Sequence, residues 1–374
     1  MTSVHQTTCS CKTQTAFTLY FMRHHLRAAL AVAAGAAAFS LAVAWRSYRG
    51  RAVARRSLAC VGFAGLGNMG SPMALRLLRH LNGVLTVWNR SEAKASALQA
   101  EGALVAPSLR FLCQQCDTVC LMLLGDEATR EAVDELLSVE KHLVPAMAVN
   151  FGTISPGCAT QCAERCATAG CVFVSCPVTG RPDRAAAGTL SCWVSAADAS
   201  AAAVVAEELC PAVATHVAVV STTDAAAAAT FKLVTNLLVY GGVELLAECT
   251  TLAEGCGLPR GAVAQFLGVL APGTFLEGYA AKIRDRAYDR AATGMDVGIK
   301  DMRLIRDLAR GAKLPVLEAA LEHCMAASAA VGSATSTREW CALAEEVERR
   351  AMVQRGCANS STASMMNEGT GRSM

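Results

Sequence analysis

The sequence predicts a doubly wound α/β domain with a mainly parallel sheet, followed by an all-helical domain. Three observations predict it: a glycine-rich loop between an apolar strand and an amphipathic helix, strand and helix patterns alternating over residues 58–176, and the end of strand signals after Asp224. A chain of 374 residues has room for two domains. With 53% hydrophobic and 17% charged residues and a formal charge of +3, collagen-like and disordered classes are excluded, as is a strongly basic nucleic-acid-binding surface.

Residues 1–56 form a basic leader. No Asp or Glu precedes Glu92, whereas Lys12, Arg23, Arg27, Arg46, Arg49, Arg51, Arg55 and Arg56 all lie in the leader, so the rest of the chain has more acids than bases. Residues 28–45 are uncharged and Ala-rich, at the short limit of a membrane span, with basic flanks on both sides. Two readings fit: an Arg-rich, acid-free import segment, which makes the mitochondrion the first expectation, or a single N-terminal helix retained as a membrane anchor. The 18 cysteines lack the paired C-x-x-C spacing of zinc ribbons and read as small buried hydrophobes in a reducing compartment, so no metal site is expected.

The first domain is expected over 57–223. Residues 58–64 read as an apolar strand running into Gly65-Leu66-Gly67-Asn68-Met69-Gly70, after which 71–81 has helical spacing closed by Asn82-Gly83. This G-x-G-x-x-G has chemical reasons: Gly65 for the tight turn, Gly67 to let backbone approach a pyrophosphate, Gly70 for close helix–strand packing. The helix N-terminus then faces the anion with free N–H groups. A second strand at 84–88 ends in Asn89-Arg90-Ser91, where an acid would hold the ribose hydroxyl of NAD. A guanidinium and a hydroxyl suit a 2′-phosphate instead, so NADP is the expected cofactor, with NAD left open. Strands at 118–124, 146–151 and 172–176 alternate with helices at 126–137 and 158–169. Ligands of such sheets sit beyond the carboxyl ends of strands, which selects the loops after Leu124, Phe151 and Cys176.

The second domain is expected over 224–350, with helices at 225–253, 260–270, 300–312 and 317–330 punctuated by Gly257-Leu258-Pro259 and by residues 311–315. Residues 351–374 read as a disordered tail. Lys232 and Asn236 stand four apart on the first helix and so share a face. Flanked by Phe231, Leu233 and Val234, the lysine is either desolvated, with its pKa lowered toward acid/base work, or a snorkelling side chain.

Four ordered motifs across about 58–345 resemble the β-hydroxyacid dehydrogenases: the glycine loop with Met73-Ala74, Gly152-Thr153-Ile154-Ser155-Pro156, Pro177-Val178-Thr179-Gly180, and Lys232 with Asn236 followed by Lys300-Asp301. Trp88-Asn89-Arg90-Ser91 is most similar to the NADPH-using glyoxylate/succinic semialdehyde reductase branch. The resemblance implies a Rossmann domain followed by a 6-phosphogluconate-dehydrogenase-like helical domain, a small carboxylic acid substrate, and a homo-oligomer. It implies Lys232 as general acid/base and Asn236 as its orienting neighbour. Thr153, Thr179 and Gly180 would hold the substrate carboxylate, while Leu124, Thr153 and Lys300 would lie at the cofactor, and Asp301 is read as structural. Departures are the Asn150 and Gly152 that replace an acid and a serine, Arg181 where a second glycine is usual, and Ala226 and Ala228 in place of glycines. Arg181 either binds a second acidic group or lies in solvent. Two other readings on the same scaffold are an imine reductase, against which the retained Lys232 argues, and a non-catalytic cofactor-binding or assembly module.

Overall fold

A computed structural model describes residues 58–82 and 84–354. The leader readings, including the apolar segment 28–45, and the tail from 355 lie outside the described residues.

Four short strands form the centre of the sheet, buried along their length except for the half-buried Val172: β1 (Val61–Ala64), β4 (Thr118–Leu121), β5 (Met147–Asn150) and β6 (Val172–Ser175), joined on the outside of β1 by β2 (Thr86–Trp88) and β3 (Leu104–Val105). Burial on both faces explains why these strands read as continuous apolar runs rather than alternating ones. All are parallel, in the order β3-β2-β1-β4-β5-β6, so the order reverses between β1 and β4. Beyond β6 the sheet changes character. β7 (Val178–Thr179) and β6 both pair antiparallel with β8 (Leu190–Ala196), and β9 (Ala214–Ser221) pairs parallel with β8.

The crossover helices are α1 (Gly70–His80), α2 (Glu92–Ala100), α3 (Leu109–Gln115), α4 (Gly125–Leu137) and α5 (Pro156–Thr168), with the short α6 (Pro182–Ala187) and α7 (Ala199–Val204) flanking β8. The helical lobe contains α8 (Ala227–Gly255), α9 (Ala262–Leu270), α10 (Phe275–Asp285), α11 (Met295–Leu308), α12 (Pro315–Val331) and a final helix, α13, over 343–354.

The expected strand at 118–124 ends at Leu121, because the chain must leave the sheet to reach the α4 N-terminus. The expected strand at 58–64 begins only at Val61, where pairing to β4 starts. Residues 351–354, assigned to the tail, continue α13. Its preceding turn is anchored by Glu348, whose carboxylate takes Arg260 Nη2 and Arg286 Nη2, the latter at 2.7 Å.

Two apolar clusters cover the faces of the sheet, one around Phe63, Met73 and Phe151 and one around Leu112, Val119 and Phe173. A third fills the helical lobe around Trp340, whose ring meets Tyr240 at 4.7 Å and Tyr279 at 5.1 Å between centroids. The 29-residue α8 joins them: Ala229 packs in a sheet cluster and Leu233, one turn on, in the helical cluster. Its length and composition would also suffice to cross a membrane, but here 44% of its most apolar stretch is buried within the fold. On the outward side, Val234, Leu238, Leu245 and Leu252 form an exposed apolar stripe at helical spacing.

Candidate active site

The loop between β1 and α1 is built by glycine. Gly65 adopts φ +96, and a Cβ there would lie 2.3 Å from the Met122 carbonyl oxygen; one at Gly70 would lie 1.9 Å from the Gly65 oxygen. These two close approaches pull the loop onto the sheet and the helix onto the loop. A Cβ at Gly67 would meet nothing, so that backbone faces open space. No side chain caps α1, whose N-terminal residues Asn68 and Met69 present the loop's outer edge. The cradle therefore fits an anion such as a dinucleotide pyrophosphate.

Of the three residues after β2, Asn89 is spent on the protein itself. Its Oδ1 accepts from Leu66 N at 2.8 Å, and its Nδ2 donates to Ser91 O at 3.0 Å. It is a strut between β2 and the glycine loop. Arg90 and Ser91 are both exposed, and the Ser91 hydroxyl does not cap α2.

At the ends of β4 and β5, Leu124 is 58% exposed. Asp126 accepts from Ser155 N at 2.8 Å and clasps the two loops together. Asn150, wholly buried, closes the turn after β5 by donating Nδ2 to Gly152 O at 2.9 Å. A Cβ at Gly152 would lie 2.7 Å from Leu123 O, so this backbone has no room for the serine the resemblance led one to expect. Lys300, from α11, reaches across the lobes and donates Nζ to Thr153 O at 2.9 Å, its stem lying against Gly125.

Lys232 is 8% exposed. Its Nζ makes one hydrogen bond among the described residues, to Thr179 Oγ1 at 3.4 Å, leaving further N–H groups for a ligand. Burial lowers its pKa to about 8; Asp301 opposes that shift and Lys300 adds to it. Asn236, one turn on, donates Nδ2 to Asp301 Oδ2 at 3.1 Å, and Tyr240, a further turn on, donates its hydroxyl to the same oxygen at 3.1 Å. Burial pushes the Tyr240 phenol well up, which keeps it a donor. Lys300 Nζ stands 2.8 Å from the other Asp301 oxygen. Sequence reasoning missed Tyr240 and left Asp301 without partners, although the i, i+4, i+8 spacing of Lys232, Asn236 and Tyr240 was there to see.

Thr179 and Gly180 close β7. Gly180 has φ +139, and a Cβ there would lie 2.5 Å from Leu190 Cδ2. Arg181 leans across to α10, where a Cβ on Gly278 would lie 3.1 Å from its Nη1, and pairs with Asp183 at 3.3 Å. Its guanidinium thus lies between the lobes rather than free in solvent. Away from this cleft, the thiols of Cys176, Cys192 and Cys210 lie within 4.8 Å of one another, wholly buried in the sheet-lobe core. Burial raises the Cys176 pKa; that of Cys210, lowered by its contact with Cys176 but raised by Cys192 and by burial, is also well above the ordinary value, so both are held as thiols.

Two family models together match residues 60–343. The NAD binding domain of 6-phosphogluconate dehydrogenase matches 60–235, and the NAD-binding domain of NADP-dependent 3-hydroxyisobutyrate dehydrogenase matches 226–343. The chain is 27% identical over 267 residues to 2-(hydroxymethyl)glutarate dehydrogenase of Eubacterium barkeri, covering 68% of this chain and 84% of that one. It is 26% identical over 283 residues to the mitochondrial 3-hydroxyisobutyrate dehydrogenase of Homo sapiens, covering 73% and 83%. A crystal structure of 3-hydroxyisobutyrate dehydrogenase from Salmonella typhimurium superposes with a TM-score of 0.65 at 25% identity, over 76% of this chain and 98% of that one.

The position of Asp301 makes a testable statement about Lys232. Since the carboxylate raises the lysine pKa against burial, Asp301→Asn is expected to move it further down. Titration of Lys232 by NMR after reductive ¹³C-methylation reads this directly; an unmoved midpoint would show that the two groups do not interact.

Proposed function

The chain belongs to the β-hydroxyacid dehydrogenase family of NAD(P)-dependent oxidoreductases, and from that premise we propose that it is an NADP-preferring reductase of a small oxo or semialdehyde acid, running in reverse on the corresponding hydroxy acid. The observation that carries the reading is the buried Lys232, its pKa lowered to about 8, bonded to Thr179 in the cleft and sharing a helix face with Asn236.

The glycine loop from Gly65 to Gly70 and the α1 N-terminus would hold the cofactor pyrophosphate, with Arg90 and Ser91 at the 2′-phosphate and Leu124 against the apolar part of the molecule. When bound, the nicotinamide supplies or accepts the hydride. Lys232 does the proton work: as the ammonium it protonates the carbonyl oxygen during reduction, and as the amine it takes the alcohol proton during oxidation. Asn236, fixed by Asp301, positions the reacting oxygen, and the Thr179 hydroxyl and Gly180 N–H bind the carboxylate. Lys300, held on Thr153 O, keeps a positive charge beside the anionic ligands.

The exposed stripe from Val234 to Leu252 on α8 supports self-association as a second element of the proposal, since an apolar helix face of that length fits a second copy of the chain. For the leader, import into the mitochondrion is proposed, with retention as an anchor through residues 28–45 as the competing outcome. Cell fractionation with alkaline carbonate extraction separates the two.

NADPH oxidation by purified protein with a panel of short oxo and semialdehyde acids tests the chemistry. Lys232→Ala is expected to lower kcat by ~100-fold or more, and a mutant with unchanged turnover would end the lysine assignment. In the wild type, reduction is expected to fall as pH rises through about 8, because the acid form is lost, while oxidation rises over the same interval. The ratio of kcat/KM for NADPH over NADH should exceed one and drop on Arg90→Ala; a preference for NADH removes the cofactor inference. Sedimentation velocity checks the stripe: Leu245→Asp should convert an oligomer to monomers, and a wild-type monomer refutes self-association.

A further inference from the structure

We propose that Trp193 is a positioning residue for substrate recognition: its indole N–H fixes the Thr179 hydroxyl as a hydrogen-bond donor aimed at an anionic oxygen of the substrate. The inference rests on the reading of the cleft as an acid-binding site, and goes beyond it by naming what makes Thr179 selective.

Trp193, on β8, donates Nε1–H to Thr179 Oγ1 at 2.9 Å, and Lys232 Nζ donates to the same oxygen at 3.4 Å. An indole nitrogen is only ever a donor, and so is an ammonium. A hydroxyl has one proton and two lone pairs, so both acceptor positions of Thr179 are taken. What is left is its own O–H, which no described residue accepts. Without these two donors the hydroxyl could also accept a hydrogen bond from an O–H or N–H of the ligand. With them it presents a proton and nothing else, beside the positive charge of Lys232, and an oxygen that carries negative charge is the partner it fits.

The indole is itself held. Its ring packs on Phe231 at 4.6 Å between centroids and meets His216 edge-on at 5.5 Å, while its backbone N–H donates to Pro177 O at 3.2 Å. Phe231 directly precedes Lys232, so one side chain braces both the donor hydroxyl and the backbone that carries the lysine. Pairing of β7 with β8 at Val178–Cys192 and Thr179–Ser191 sets the height at which Trp193 can reach Thr179.

Trp193→Phe keeps an aromatic ring for Phe231 and His216 and deletes the N–H. Expected is a roughly tenfold rise in KM for the acid substrate, with kcat changed by less than about threefold and the NADPH KM unmoved. Preference for the acid over its methyl ester should shrink by the same factor. In a Thr179→Ala background the Trp193→Phe change should add almost nothing, because the indole acts through that hydroxyl. Trp193 replaced by β-(3-benzothienyl)alanine, which keeps the shape of the indole without its N–H, should give the same KM if the phenylalanine variant does not fold. An unchanged KM in either variant, or an equal rise in the Thr179→Ala background, overturns the assignment of Trp193 alone. A wild type that turns over no acid in the panel overturns the reading of the cleft, and this inference with it.

Discussion

A buried carboxylate has to be surrounded by donors, and the arrangement of the site follows from how Asp301 meets that demand. Removing such a charge from water costs several kcal/mol unless hydrogen bonds and an opposite charge replace the lost hydration. Asp301 is 5% exposed and takes Asn236 and Tyr240 on one oxygen and Lys300 beside the other. Satisfying it aligns two turns of α8 and fixes the register of α11 against them. Lys300, drawn in by the same carboxylate, continues to the Thr153 carbonyl and so ties the helical lobe to the loop after β5. The Asp301 charge also bears on Lys232, raising a pKa that burial and Lys300 lower.

What was legible in the sequence was local. The glycine loop could be read because its demands fall within six residues: a positive φ at Gly65 and a carbonyl pressed against Gly70. Lys232 and Asn236 could be read because helical spacing alone puts them on one face. The mixed extension of the sheet, with β7 antiparallel and β9 parallel to β8, was not foreseen, since the pairing joins segments distant in sequence and only part of each strand is buried. For the same reason Trp193 was invisible as a neighbour of Thr179. Arg181 left two readings open, and its seat against Gly278 depends on a helix, α10, whose pattern was missed.

The departures from the family motifs acquire physical reasons. Asn150 stands where an acid is usual, yet both ends of its amide bond Gly152, so the turn after β5 closes without a charge. Gly152 follows from the proximity of Leu123 O, which leaves no volume for a side chain. Ala228 is wholly buried, and its N–H donates to Ser195 Oγ at 3.0 Å, which staples the start of α8 to β8 where a glycine was expected. These substitutions alter the walls of the cleft while leaving the lysine, the asparagine and the glycine loop in place.

The continuity of α8 through both apolar clusters makes the environment of Lys232 depend on both lobes. Lys232 stands at the junction, one turn past Ala229 in the sheet core and next to Leu233 in the helical core, so its dryness is a joint property of the two lobes. If either lobe opens, water reaches the amine and its proton affinity relaxes toward the ordinary 10.5. Local opening of either lobe is therefore expected to shift the Lys232 titration before the fold as a whole is lost.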